Sequence, residues 1–446
     1  MKPGISQAAT AHRPPAYLGW YYLQNTSNIA FFNCTLGGSL FVLYLGTLNM
    51  DAARIGLVVS LFPFIQLVAL TSGGLVEQTG FRRAFLIFHG IRKFFVIALA
   101  AAPIVLAAWG PQAGFWFVVS CVTAFGVLRS LGETALYPWM KEFIPDAFRG
   151  RVQGKAVIFS ALVSVAGMLA ISLLIQHATT HNWQPELPFQ IAFVVFPLIA
   201  LAGVFGTKHL PGGDTPRRRR SVRLFVEGQL RAARNSSFRS YVLAEGLVFG
   251  ITALFAGLMP VFLLTVARIP DTQIVLLGGA QMAGIIISGS LNGRAVDRLG
   301  SRRILPRFLM ALGIMPLFWL LLPLLGSWCV PSACAAYFLF GFFQNGTIIA
   351  LVRMLYNDIV PRRDRTEYFT LRYAGSGLLA GFFPLLGGLS IGWMKHAGAG
   401  GVSAYSPAFL AITVAAIVAI GALNSIPSQE SITTKFAFAT PSPLKS

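Results

Sequence analysis

Apolar residues run along this chain in long blocks, and Arg, Lys, Gly and Pro gather in the short segments between them. A helix that crosses a bilayer needs about 20 predominantly apolar residues. Twelve blocks reach that length, at roughly 20–47, 53–75, 84–109, 113–140, 153–176, 188–206, 239–266, 273–295, 303–326, 332–356, 367–394 and 406–424. Lipid offers no partner to a backbone N–H or C=O, so only helices and closed barrels can span it. Barrel strands alternate apolar and polar over about ten residues, whereas these blocks are longer and uniformly apolar. The pattern predicts an all-α membrane protein with twelve transmembrane helices.

Composition agrees. Hydrophobic residues make up 55% of the 446 and charged residues 11%, against about 25% charged in ordinary soluble domains. The net charge of +20 comes from 35 Lys and Arg against 15 Asp and Glu. In a soluble chain this excess would point to nucleic acid. Here the bases sit in alternate short loops, the signature of cytoplasmic retention, and no nucleic-acid partner is expected. Only Arg54, Arg268 and Lys395 fall at predicted outer loops, which places both termini in the cytoplasm of a cell-membrane protein.

The same map divides the chain into an N-terminal tail (1–19), a six-helix bundle (20–206), a basic linker (207–238), a second six-helix bundle (239–424) and a C-terminal tail (425–446). The tail 1–19 has no apolar core with a cleavage site, so it does not read as a removable signal peptide. The linker carries Arg217-Arg218-Arg219-Arg220, then Leu224-Phe225-Val226 and Leu230. That spacing predicts a short amphipathic helix on an anionic lipid surface. Of the four cysteines, Cys34 and Cys121 lie inside spans as packing residues, and a Cys329–Cys334 disulfide would close an outer turn. The six histidines form neither a triad nor a metal cluster. No metal or cofactor is expected.

An internal repeat sharpens the picture. Gly73-Gly74-Leu75-Val76-Glu77-Gln78-Thr79-Gly80-Phe81-Arg82-Arg83 follows span 2, and Gly293-Arg294-Ala295-Val296-Asp297-Arg298-Leu299-Gly300-Ser301-Arg302-Arg303 follows span 8. Each has Gly, an acid four residues later, Gly three further on, then a basic pair, at an offset of 220. Lys141-Glu142-Phe143-Ile144-Pro145 and Asn357-Asp358-Ile359-Val360-Pro361 echo each other at an offset of 216. Two echoes at nearly one offset indicate a duplicated six-helix unit. The motif's glycines let helix ends approach closely. Its acid either pairs with a neighbouring base or caps a helix end.

These loops resemble the mark of the major facilitator superfamily of secondary transporters, over about Trp20 to Asn424. The second copy is near consensus, while the first has Glu77 for Asp and Gln78 for Arg. The resemblance implies two pseudo-symmetric six-helix bundles and a monomeric carrier of a small solute, working by alternating access among membrane lipids. It also implies a cytoplasmic gate at Gly73, Glu77, Gly80, Arg82, Arg83, Gly293, Asp297, Arg298, Gly300, Arg302 and Arg303. In that family spans 1, 4, 7 and 10 line the cavity.

Polar groups inside a membrane are costly and usually face a cavity or a partner. They concentrate on those spans: Gln24, Asn25, Asn28 and Asn33 on span 1, Arg129 and Glu133 on span 4, Glu245 on span 7, Gln344 and Asn345 on span 10. Each either contacts solute or bonds a neighbouring helix. Arg129 and Glu133, four apart on one face, form either a structural pair or a proton-coupling pair. The family's Arg-x-x-x-Gly element on this helix is associated with proton coupling, and here Gly132 comes one position early. Arg92, Lys93 and Arg372, early in their spans, are expected to snorkel. The amides suit a polar solute and Arg129 an anionic one, with protons as the coupling ion. Multidrug export is the alternative, and a non-transporting membrane sensor of the same fold is the third option. No enzymatic site is evident, since clustered acids, bases or metal ligands at depth are missing.

Overall fold

The computed structural model describes residues 15–70, 76, 79–144, 149–214, 222–360 and 365–426, and everything regular among them is helical. In chain order the helices are α1 (Leu18–Asn33), α2 (Ser39–Thr47), α3 (Ala52–Phe64), α4 (Phe81–Leu99), α5 (Ala102–Phe143), α6 (Arg149–Thr180), α7 (Leu187–Gly206), α8 (Val222–Arg234), α9 (Ser236–Thr265), α10 (Asp271–Leu299), α11 (Ser301–Leu321), α12 (Cys329–Met354), α13 (Arg365–His396) and α14 (Val402–Asn424). Eight stretches among the described residues are long and apolar enough to cross a membrane. All four cysteines are free, so the outer-turn disulfide does not form.

Breaks fall where backbone chemistry demands them. The first span is not one helix: it is interrupted at Cys34–Gly38, between α1 and α2. Gly37 N–H donates to the Phe32 carbonyl at 2.7 Å, and a Cβ on Gly37 would lie 2.3 Å from the Phe32 ring. Only glycine fits there. Gly110, at φ 84°, divides α5 into two helical stretches at the turn predicted between spans 3 and 4. Asp51 and Asn235 cap α3 and α9, accepting from the N–H groups of Arg54 and Phe238 at 2.8 and 3.1 Å. Gly80 and Gly300, the paired motif glycines, precede α4 and α11 with φ of 84° and 79°. A side chain at either position would be strained.

The chain forms two compact units, Met1–Phe41 with Ser72–Arg219, and Val42–Thr71 with Arg220–Ser446. In the first, α1 packs on α6 and α7, and α4 on α5 and α7. One end is filled by Leu18, Tyr21, Val76, Phe85, Trp139, Phe143 and Leu210. The second unit repeats this core. Phe238, Tyr241, Val296 and Leu305 stand 220 residues beyond Leu18, Tyr21, Val76 and Phe85, and Leu355, Ile359 and Ile426 stand 216 beyond Trp139, Phe143 and Leu210. The duplication is therefore present in the packing as well as the motifs.

The second unit also takes up α3, which lies along α13 at backbone-contact distance. A Cβ on Gly56 would sit 2.3 Å from the Pro384 carbonyl, and one on Gly388 would sit 2.5 Å from that of Ala52. Small residues let helices approach this closely in lipid, where dispersion replaces the hydrophobic effect.

Candidate functional site

In the first unit α4 and α5 bring basic groups against α1. Arg92 and Lys93 are 2% and 0% exposed, so they do not snorkel. Arg92 is the twelfth residue of α4, about 16 Å along its axis at 1.5 Å per residue, which is too deep to reach an interface. Asn28 Oδ1 on α1 accepts from Arg92 Nη2 at 2.5 Å and from Lys93 Nζ at 3.1 Å. A neutral amide can share lone pairs with two cations, but it cancels neither charge.

Arg129 lies on α5, one turn before Glu133, and its Nε donates to Glu133 Oε1 at 2.7 Å. Three rings face the three cations. Lys93 Nζ is 4.3 Å from the Phe31 centroid, while the guanidinium carbons of Arg129 and Arg92 are 4.4 and 5.4 Å from Phe32 and Phe125. Such contacts are worth about 2 kcal/mol when desolvated. Phe31 and Phe32 come just before the break in the first span, so the cluster adjoins that irregular backbone. Broken helices at membrane depth are tolerated where they are buried in protein or line a cavity.

The other amides of α1 fasten helices. Asn25 and Asn33 donate to Ser160 and Ser164 on α6, each at 3.1 Å, while Gln24 is buried and its backbone lies against Gly203 of α7. His89 is fully buried, stacked on Phe85 with ring centroids 4.0 Å apart.

The second unit holds a different chemistry. Glu245 on α9 is buried, and both carboxylate oxygens accept from Arg372 on α13, with Nε at 2.9 and 2.7 Å and Nη2 closing on Oε1. Tyr241 and Ser376 hydroxyls donate to the same group at 3.0 and 2.8 Å. Arg372, expected to snorkel, instead forms this ion pair. Glu245 and Ser376 are the repeat counterparts of Asn25 and Ser160, so one contact serves both units, with a carboxylate in place of an amide.

Gln344 on α12 donates to Thr252 on α9 and accepts from Gln281 on α10, both at 3.2 Å. Asn345, the counterpart of Arg129, donates to the Ile285 carbonyl at 3.1 Å. Asn292 donates to Ser288 and to the Phe342 carbonyl at 2.8 and 3.0 Å. Gln281 and Asn292 do not stand out in the sequence because span 8 is not among the expected cavity spans. Their amides amid small residues were the available signal.

At the basic ends, the motif residues bind chain segments that follow the sixth and last helices of the repeat. Arg82 pairs with Asp214 at 3.0 Å, and its N–H donates to the Gly213 carbonyl at 3.0 Å. Arg302 Nη1 donates to the Ile426 carbonyl at 2.9 Å, and Arg353 reaches the Val296 carbonyl at 2.7 Å. Gly73, Glu77 and the Asp297 side chain lie outside the described residues. Gly293 lies within α10, Arg298 in its last turn and Arg303 in the first turn of α11.

A bundle of long apolar helices with buried charge clusters on two duplicated units defines a multi-pass membrane transporter. The Major Facilitator Superfamily model matches residues 26–332 and 242–446, and the chain belongs to that family. Solved structures with the same fold include the nucleoside transporter NupG (15% identity, TM-score 0.61, covering 92% of this chain and 98% of that one). A bacterial homologue of the human lysosomal transporter Spinster, inward-facing and occupied, is another (14%, 0.62, 97% and 100%). A bacterial homologue of the iron transporter ferroportin, outward-facing, is a third (14%, 0.56, 92% and 98%). At these identities the likeness speaks to fold alone. No curated protein sequence matches the chain.

Proposed function

We propose that this protein is a proton-coupled secondary transporter of an organic anion, working by alternating access in the cell membrane. The observation that carries this is the cluster of buried Arg92 and Lys93 with half-buried Arg129, set against Glu133, the single acid in the spans the first unit contributes. Gathering like charge at depth is expensive, and a bound carboxylate or phosphate would lower that cost. Guanidinium groups suit either one through paired N–H donors. The facing phenylalanines favour a solute with an apolar or planar body.

Coupling is assigned to Glu133. A solute anion that takes over Arg129 removes the charge partner of Glu133. A proton arriving at Glu133 then replaces the lost counter-charge. Solute and proton therefore load together. Glu245, gripped by five hydrogen bonds, is assigned to holding α9 and α13 together.

The test is uptake into proteoliposomes under an imposed pH gradient, screened over organic acids, phosphorylated compounds, neutral sugars and cationic drugs. Gradient-driven flux of an anion, abolished by Arg129→Ala and uncoupled from the gradient by Glu133→Gln, is expected. Transport of cations or neutral amphiphiles alone would replace this reading with drug export.

A further inference from the structure

The end of α6 carries a pair of histidines that the solute site does not use. Among the chain's six histidines, His177 and His181 are the one pair spaced four apart. Residues at that spacing share a helix face. α6 runs to Thr180, and His181 N–H still donates to the His177 carbonyl at 3.1 Å, so the helical spacing holds through His181. Asn182 then enters the left-handed region at φ 54°, which asparagine tolerates. That turn carries the chain back over the helix end, where Trp183 N–H donates to the Ala178 carbonyl at 2.9 Å.

The turn fixes both imidazoles. Their ring centroids are 4.0 Å apart, and the Trp183 ring meets His177 edge-on at 5.3 Å. His181 Nδ1 lies 2.9 Å from the His177 carbonyl and 3.1 Å from Thr180 Oγ1. A carbonyl oxygen only accepts, so Nδ1 carries the proton and the lone pair of the neutral ring is on Nε2. A hydrogen bond from one ring nitrogen to a backbone carbonyl is what orients metal-ligating histidines and makes the other nitrogen a better ligand. Both residues are exposed, so an ion can reach them from solvent.

We propose that His177 and His181 form a bidentate site for a late first-row divalent ion such as Ni²⁺, Cu²⁺ or Zn²⁺, with water in the remaining positions. Imidazole suits these ions. Two histidines four apart on one helix face are also the pair that helical zinc sites use. At about 2.0–2.1 Å per metal–nitrogen bond, one ion spans nitrogens up to about 4 Å apart, which matches the separation of the rings. A hard ion such as Mg²⁺ prefers oxygen ligands and is not expected to bind. The bound ion clamps the last turn of α6, where the chain leaves for α7. This site does not depend on what the protein carries.

Isothermal titration calorimetry of the tag-free full chain in detergent, with nickel chloride as titrant, tests this. One Ni²⁺ per chain should bind saturably in the submillimolar range. His177→Asn and His181→Asn should each weaken that binding at least tenfold while keeping the parent's elution profile on size exclusion, since both side chains are exposed at a helix end. His209→Gln, at the histidine that stacks on Trp20, should leave it unchanged, and magnesium chloride should give no binding heat. Absence of saturable binding, or an affinity that either His177→Asn or His181→Asn leaves unchanged, would overturn the site.

Discussion

Glu245→Gln replaces one oxygen by an amide nitrogen, inside a site whose hydrogen-bonding capacity is already used. Both oxygens of Glu245 accept from Arg372, and Tyr241 and Ser376 donate to one each. Whichever way glutamine turns, its NH2 meets donors, and Arg372 loses the charge of Glu245. Glu245 is 1% exposed and Arg372 19%, so water cannot make good the loss. Breaking a buried ion pair from one side costs about 3–5 kcal/mol. At roughly 2–4 °C per kcal/mol for a unit of this size, the apparent melting midpoint should fall by on the order of 10 °C. Fluorescence-detected size-exclusion chromatography of detergent-solubilised protein reads that midpoint. Adding Arg372→Met should recover at least half of the loss, since replacing a buried pair by apolar groups is often near neutral. A single mutant within about 1 °C of the parent, or a double mutant no more stable than the single, would refute the reasoning.

Two further outcomes follow from other sites. A Cβ on Gly392 would lie 3.9 Å from that of Ala53, near the ~3.8 Å mean of disulfides. Ala53→Cys with Gly392→Cys should therefore cross-link spontaneously, as read by mass spectrometry, and adding Gly56→Val should abolish the bond by forcing the helices apart. Arg92→Gln should leave the fold intact and raise the anion concentration for half-maximal uptake by roughly 10- to 100-fold, the worth of one charge-assisted hydrogen bond. Unchanged uptake would remove Arg92 from the proposed site.

Sequence pattern located most helices to within a few residues because lipid makes apolar length a hard constraint. It could not see the break in the first span. Every residue from Asn33 to Gly38 is acceptable within a transmembrane segment, and the break depends on the Phe32 ring standing where a Gly37 side chain would be. Arg92 and Lys93 were misplaced for a related reason. Position in a block suggests depth, but whether a long side chain turns outward or inward depends on which helix lies beside it, and here that helix presents Asn28. Gln281 and Asn292 do not stand out because span 8 is not among the expected cavity spans. The segment Pro211–Asp214 escaped notice because its anchors, Arg82, Trp139 and Glu142, are far from it in the chain.

By itself the sequence determined that this chain spans a membrane as helices and that its halves arose by duplication. Hydropathy and repeated spacing are local properties, and no partner is needed to read them. Tertiary structure decided which polar groups spend their bonds on neighbouring helices and which remain as charge in the interior. Asn25, Asn33 and Glu245 are used in helix contacts, whereas Arg92 and Lys93 share Asn28 and Arg129 pairs with Glu133. Hydrogen bonding and ion pairing act over about 3 Å between residues 64, 135 and 127 positions apart, and only packing brings those residues to that distance.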